Sequence, residues 1–282
     1  MRKIAHIINP VNLGPPSDLY IAQPITFATM QTAREFARGV VAVDLFSAQY
    51  PEDRSYVPAG FQLAPDLERS VLDRCAFDKK RKLPLLADIL QRLYEASDAE
   101  YFVYTNVDIA LMPNFYVTVN ALLDRGYDAL VINRRSISDE YKHPTEVPLM
   151  YAEAGQKHPG HDCFVFRRDA LPRLRLAGVC LGVPMIGRVL CWNLVCHAPR
   201  YKEFKKAHLT FHLGRPQLGL NRVNAEYAAY NWREAMEVTA TLERECGPFN
   251  GLSPFDLYPN PLNFDKAYQR KKMKEEALQK CT

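Results

Sequence analysis

Short runs rich in β-branched and aromatic residues alternate with runs of helical composition through the first half of the chain. Lys3–Ile8 and residues 40–46 have the composition of strands, and residues 25–38 between them have that of a helix. Residues 101–104 are wholly apolar or aromatic, which is typical of a strand covered on both faces. The alternation predicts an α/β fold with a single Rossmann-like sheet, mixed but mostly parallel and flanked by helices.

The same patterns continue along the chain. Helices are predicted at residues 83–96, 115–125 and 224–245, and strands at residues 129–133, 164–166 and 209–213. We expect one domain over residues 1–262, followed by a charged C-terminal helix or tail over residues 263–282. This tail carries six basic and three acidic residues, so its charge is compatible with peripheral contact at an anionic membrane, the alternative being a solvated tail.

Composition excludes several classes of protein. With 48% hydrophobic residues the 282-residue chain can bury a sizeable core, and a net charge of +4 is too slight to indicate a nucleic-acid partner. The longest apolar stretch, residues 176–198, is interrupted by polar residues, proline and glycine, so no transmembrane segment is expected. Seven scattered cysteines indicate reduced thiols and a cytoplasmic location.

The strongest local signal for chemistry is the segment YFVYTNVDIALMP, residues 101–113. The predicted strand leads directly into Asn106 and Asp108, whose spacing points both side chains to the same side. In α/β sheets ligands bind at the carboxyl ends of the strands, and hard cations such as Mg²⁺ or Mn²⁺ prefer oxygen ligands. The alternative is that Asp108 only ends the strand or caps the next helix.

Three segments in order resemble the glycosyltransferases of the A-type fold, the nucleotide-diphospho-sugar transferase superfamily. They are the N-V-D segment after the apolar strand, GHDCFVFRRDAL at residues 160–171 and AHLTFHLGRP at residues 207–216. The resemblance implies that Asp108 binds a divalent cation, Mn²⁺ or Mg²⁺, and that His212 is the second protein ligand. Asn106 stands where the family usually has its first aspartate, and is expected to reach the metal through water or to contact the ribose.

The resemblance also implies roles on the acceptor and nucleotide sides. Asp162 is expected to contact the acceptor and, in an inverting enzyme, to take the proton of the attacking hydroxyl; in a retaining enzyme it would only orient the acceptor. His161 is a substitute base, and a turn aspartate is the alternative reading of Asp162. The candidate nucleotide-sugar-binding residues are Asn9, Asp44, Arg81, Lys82, Asn106, Asp108 and Arg215, with Arg134 and Arg135 as further candidates.

The expected function is therefore that of a hexosyltransferase-like glycosyltransferase. It would move a sugar from a nucleotide diphosphate donor to a hydroxyl acceptor with the assistance of a divalent metal. Two alternatives stay open: a catalytically silent nucleotide- or glycan-binding member of the same fold, and a metal-dependent nucleotidyltransferase or hydrolase. Gly14 is a lone glycine, so the glycine-rich phosphate loop of nucleotidyltransferases is missing, which speaks against that enzyme.

Overall fold

A computed structural model of the protein describes residues 1–15, 17–214 and 222–247. In these ranges nine strands form one sheet. The strands are β1 (Lys3–Ile8), β2 (Ala42–Ser47), β3 (Gln62–Leu63), β4 (Tyr101–Thr105), β5 (Ala110–Leu111), β6 (Ala129–Ile137), β7 (Gln156–Arg167), β8 (Tyr201–Phe204) and β9 (Thr210–Leu213).

Helices cover both faces of this sheet. They are α1 (Asp18–Phe36), α2 (Leu86–Ala96), α3 (Phe115–Asp124), α4 (Val147–Ala152), α5 (Ile186–His197) and α6 (Arg222–Cys246). Within the described residues, no helix combines the length and the apolar composition needed to cross a membrane. The predicted helix or tail at residues 263–282 lies outside the described residues.

The sheet is mixed, and its order is β3-β2-β1-β4-β7-β6-β9-β5, with β8 paired to β6. Strands β1 to β4 are parallel where they pair, and β8 and β9 each run parallel to β6. Strand β7 runs antiparallel between β4 and β6, and β5 pairs antiparallel with β9. The prediction of a mixed, mostly parallel sheet flanked by helices is therefore confirmed.

Alternate residues of β4 enter different hydrophobic layers. Phe102 and Tyr104 pack in the layer that contains residues of α2, α5 and α6, whereas Tyr101 and Val103 pack with residues of α1 and α3. All four side chains are buried. Because neighbouring residues of a strand face opposite sides, a strand covered on both faces must be apolar throughout, as the sequence of β4 predicts.

Two elements are longer than predicted. Helix α1 begins at Asp18, ahead of Pro24, and the Ser17 hydroxyl caps it by accepting the Leu19 N–H at 3.3 Å. The prediction started the helix after the proline, because proline normally interrupts a helix interior. Strand β7 begins at Gln156 rather than near Phe164, since its first half is polar and lies at the open edge of the sheet.

Candidate functional site

The loop after β4 carries Asp108 to the carboxyl edge of the sheet. β4 ends at Thr105, a tight turn closes with the Ile109 N–H donating to the Asn106 carbonyl, and β5 follows at once. β5 pairs antiparallel with β9 in a register that sets Ala110 opposite Phe211. Asp108 is two residues before Ala110 and His212 is the residue after Phe211, so this pairing brings the two side chains together although they are far apart in sequence.

Asp108 and His212 are in direct contact. His212 Nε2 lies 3.2 Å from Asp108 Oδ2, and His212 Nδ1 lies 3.2 Å from the carbonyl oxygen of Gly214. Asp108 Oδ1 is buried and has no hydrogen-bond partner. Burial alone would raise the pKa of Asp108, but the hydrogen bond and charge of His212, with the charge of Arg134, lower that pKa below its ordinary value.

This pair fits a divalent cation. Without a cation, His212 Nε2 donates to the Asp108 carboxylate; with a cation bound, a neutral His212 whose Nδ1 donates to the Gly214 carbonyl would turn the Nε2 lone pair toward the ion beside Asp108. Adjacent ligands of an octahedral Mg²⁺, each about 2.1 Å from the ion, lie about 3 Å apart. The described residues contain no group of three side chains that could hold a metal, so phosphate and water oxygens would have to complete the coordination shell.

Asp162 lies at the same edge on the neighbouring strand. Its Oδ2 is 2.6 Å from Arg134 Nη1, an ionic contact without the alignment of a hydrogen bond, and Asn106 Nδ2 donates to its Oδ1 at 3.4 Å. Arg134 is only 6% exposed. Burial raises the pKa of Asp162 above its ordinary value, while the charge of Arg134 opposes that rise. Asp162 is thus a buried base linked through Asn106 to the Asp108 loop.

Irregular pairing in β7 directs these side chains. The register between β6 and β7 shifts twice, between Val131 and Asn133 and again between Asn133 and Arg135, and β7 contributes the extra residues. Bulges of this kind re-aim side chains and are frequent beside active sites. Arg134 consequently reaches Asp162, whereas Arg135 donates to the carbonyl groups of Ala154 and Gly155. Of the two arginines, the structure brings Arg134 to the site.

Histidines surround this edge. His161, the substitute base of the sequence analysis, has its Nε2 3.1 Å from Oε1 of Glu203 on β8, and both side chains are buried. His158 accepts the Gly160 N–H through Nδ1 at 2.8 Å, and burial, together with the nearby charges of Arg134, His212 and His161, lowers its pKa to about 4. No sequence motif marks His158 or Glu203, since both reach the site through strand pairing.

The ends of β1 and β2 form the other half of the edge. Asn9 Nδ2 donates to the Ala48 carbonyl at 2.6 Å, so this buried side chain ties the two strand ends together. Asp53, which sequence reasoning missed, is buried beside them and accepts the Asn12 N–H at 2.7 Å. Its signal was weak, because a carboxylate after proline in a short 3₁₀ helix usually serves as a cap.

Two further candidates follow from the basic run before α2. Lys82 Nζ lies 3.8 Å from the centre of the Tyr50 ring and forms an ion pair with Glu52, and both partners closely follow β2. The Arg81 backbone N–H donates to the Tyr227 hydroxyl at 2.7 Å. The structure therefore brings Lys82 to the nucleotide half of the edge, at the carboxyl end of β2.

Asp44, one of the candidate nucleotide-sugar-binding residues, does not lie at the end of the second strand. β2 continues to Ser47, and Asp44 pairs with Ala5 in the first half of both strands. Its carboxylate lies 3.6 Å from Lys3 Nζ, which also pairs with Asp98 in the loop that precedes β4. Asp44 thus lies toward the opposite end of the sheet from Asn9 and Asp108. Arg215 lies outside the described residues.

No protein-family model and no curated protein matches the chain. Among solved structures it is similar to S. aureus TarS in complex with UDP-GlcNAc, at 10% identity and a TM-score of 0.45 over 92% of this chain and 76% of that one. It is also similar to glucosyl-3-phosphoglycerate synthase from Mycobacterium tuberculosis in complex with phosphoglyceric acid, at 16% identity and a TM-score of 0.48 over 89% of this chain and 82% of that one.

A Bacillus anthracis protein assigned as a glucose-1-phosphate thymidylyltransferase is similar at 11% identity and a TM-score of 0.44, over 80% of this chain and 95% of that one. At these identities the likeness concerns the fold alone.

Proposed function

We propose that the chain is a glycosyltransferase that moves a hexose from a nucleotide diphosphate donor to a hydroxyl of an acceptor. The observation that carries this proposal is the meeting of Asp108 and His212, 3.2 Å apart at the carboxyl edge, with one Asp108 oxygen buried and unpartnered. Asp162 lies at the same edge and is connected to them through Asn106. A metal-binding pair and a separate buried base are the two parts that this reaction needs.

The donor half uses Asp108, His212 and the ends of the first strands. A divalent cation held by Asp108 and His212 would offset the negative charge that develops on the leaving nucleoside diphosphate. Lys82 carries a positive charge beside Tyr50 and Glu52, where it would attract the donor's phosphates. Asn9 and Asp53 stiffen the ends of β1 and the following segment, against which the nucleoside would lie.

The acceptor half uses Asp162. We assign it as the group that accepts the hydrogen bond of the attacking hydroxyl and takes its proton while the oxygen bonds to the anomeric carbon and the bond to the diphosphate breaks. The charge of Arg134 favours the ionised form of Asp162, because it opposes the rise in the Asp162 pKa that burial causes. Asn106 holds the other carboxylate oxygen in place.

Backbone contacts after β1 favour a transferase over a nucleotidyltransferase. The Val11 N–H donates to Gln23 Oε1 at 2.8 Å, and the Asn12 N–H donates to Asp53 Oδ1 at 2.7 Å. A phosphate-binding loop needs several backbone N–H groups free to face the phosphates. Here two of the N–H groups that follow the first strand are already bonded to the protein's own side chains.

Isothermal titration with nucleoside diphosphates in the presence of Mn²⁺ tests the donor half. We expect the wild-type chain to bind one of UDP, GDP, CDP, ADP or dTDP, and Asp108→Asn and His212→Asn each to lose at least tenfold in affinity. Asp98→Asn is the matched control, because Asp98 precedes β4 as Asp108 follows it and is exposed on the opposite edge. Equal affinity in Asp108→Asn and wild type, with both folded, would refute the metal site.

The products of donor turnover separate the rival functions. A glycosyltransferase releases nucleoside diphosphate, a nucleotidyltransferase running in reverse consumes pyrophosphate, and a phosphate-ester hydrolase releases inorganic phosphate. A silent member of the fold binds donor without releasing any product. We expect nucleoside diphosphate from the wild-type chain, and donor binding without turnover from Asp162→Asn.

A further inference from the structure

The last turns of α5 and α6 lie side by side on the face of the sheet that α2 also covers. Leu194 of α5 and Leu242 of α6 are buried in the same hydrophobic layer. Arg175 links both helices, because its backbone exchanges hydrogen bonds with the Asn193 side chain and its guanidinium forms an ion pair with Glu245 at 2.9 Å. These contacts fix the ends of the two helices relative to each other.

Each of these helix ends carries a cysteine. Cys196 is the residue before the last of α5, and Cys246 is the last residue of α6. The two thiols are neighbours, both are half-buried, and both are free. The hydrophobic layer shared by Leu194 and Leu242 and the Arg175 link hold the two helix ends together, without a contribution from the candidate site.

We propose that Cys196 and Cys246 are a thiol modification site that closes to an intramolecular disulfide when the protein meets a small-molecule disulfide such as oxidised glutathione. The thiolate of Cys246 attacks one sulfur of that disulfide and releases the first small thiolate, which leaves a mixed disulfide on Cys246. Cys196, as its thiolate, then attacks the Cys246 sulfur and releases the second. The protein loses two protons and two electrons, and the small disulfide gains them.

The order of the two steps follows from the surroundings of Cys196. Burial and the neighbouring Cys246 thiol raise the pKa of Cys196, so it is a poor first nucleophile. Cys246 is adjacent to Gly247, whose positive φ of 68° ends α6. We therefore assign the Cys246 thiol as the first to react with the small disulfide.

The disulfide would span the part of the chain that contains β9. Residues 197–245 lie between the two cysteines, and they include β8, β9 and most of α6. A cross-link that closes a loop of this length restricts the unfolded chain much more than the folded one. Its formation should raise the unfolding temperature by several degrees.

The test uses the full-length chain incubated with oxidised glutathione, followed by alkylation of free thiols and peptide mapping by mass spectrometry. We expect a cross-linked peptide pair containing Cys196 and Cys246, reversed by dithiothreitol, and an unfolding temperature several degrees higher in the oxidised protein. Cys196→Ser and Cys246→Ser should each abolish both effects. Cys75→Ser is the control, since Cys75 is half-buried next to other elements and should leave both unchanged.

Two outcomes would overturn the proposal. One is glutathione attached to Cys246 with Cys196 still free, which would show that the second thiol does not reach the first. The other is a cross-link from either cysteine to a different partner, Cys281 included.

Discussion

Arg134 Nη1 lies 2.6 Å from Asp162 Oδ2, and both side chains are almost fully withdrawn from water. A buried ion pair adds little net stability, because desolvation of the two charges offsets their attraction. Removal of one partner is costly, since the other charge is left buried without compensation. The pair therefore makes the stability of the protein sensitive to either residue alone.

A double-mutant cycle tests this coupling. We expect Arg134→Met and Asp162→Asn each to lower the free energy of unfolding by about 3 kcal/mol, and the double variant to lose clearly less than the sum of the two. Urea denaturation of the four proteins measures the cycle. Strictly additive losses would show that the two charges do not depend on each other.

Metal removal should weaken binding of the diphosphate specifically. With EDTA present we expect the affinity for the preferred nucleoside diphosphate to fall at least tenfold, and added Mn²⁺ or Mg²⁺ to restore it, because under the proposed function Asp108 and His212 would reach the phosphates only through the cation. The corresponding nucleoside, which has no phosphate, is the matched ligand and should bind equally with and without EDTA. An EDTA effect of the same size on both ligands would contradict the assignment.

Lys82 should contribute charge to donor binding. We expect Lys82→Met to reduce affinity for the nucleoside diphosphate by roughly three- to tenfold at low salt, with a smaller difference at high salt because the charge is partly exposed and screened. Lys80→Met is the control from the same basic run, since Lys80 is exposed. Titrations at two salt concentrations measure both variants, and equal losses in the two would show that only the total charge of the run matters.

His6 should make the fold sensitive to acid. Its Nδ1 contacts the Tyr116 hydroxyl and its Nε2 the Thr105 hydroxyl, and complete burial lowers its pKa to about 3. The unfolded chain takes up a proton near pH 6.5 and the folded chain does not. Neutral His6 thus makes its full contribution to the free energy of unfolding above pH 6.5. This contribution is lost as the pH falls toward 3, at up to about 1.4 kcal/mol per pH unit.

Urea denaturation at pH 7, 6 and 5 checks this dependence. His6→Gln should be less stable than wild type at pH 7, because it loses a hydrogen bond. The difference in the free energy of unfolding should narrow as the pH falls, because only the wild type loses the contribution of neutral His6. His143→Gln, at an exposed histidine, should follow the wild-type curve. A constant difference between His6→Gln and wild type across this range would show that His6 is not responsible.

Gly187 should tolerate no side chain. A Cβ at this position in α5 would lie 2.4 Å from the carbonyl oxygen of His161, so the helix or β7 would have to move. We expect Gly187→Ala to cost about 2 kcal/mol or more and to reduce turnover, because the shift displaces the residue next to Asp162. Gly39→Ala has open space around it but a φ of 80°, and should cost only about 1 kcal/mol without loss of turnover.

Local sequence patterns predicted the elements whose residues all lie in the same kind of environment. β1 was predicted with its observed bounds. β4 was predicted to within one residue, because residues 101–104 of this strand, which is buried on both faces, are apolar or aromatic. The family resemblance, rather than the pattern, paired Asp108 with His212. Their contact depends on the register of β5 and β9, and β5 has only two residues, too few for a recognisable pattern.

The remaining parts depend on long-range packing. Asp44 was misplaced because residues 40–46 do not show where β2 ends, and the strand extends to Ser47 to match the length of β1. The selection of Arg134 rather than Arg135 follows from the irregular pairing of β7, which leaves no mark in the sequence. Glu203 reaches His161 because β8 pairs with β6, although α5 and its flanking loops separate the two strands along the chain.

The order of the strands along the chain determines when the candidate site is complete during synthesis. The early parallel strands supply Asn9 and Asp108, β6 and β7 add Arg134 and Asp162, and His212 arrives only with β9. A nascent chain that has folded its first 200 residues would still lack His212, the second metal ligand of the proposed function. Donor binding would therefore stabilise the complete sheet and would not stabilise a partly assembled one.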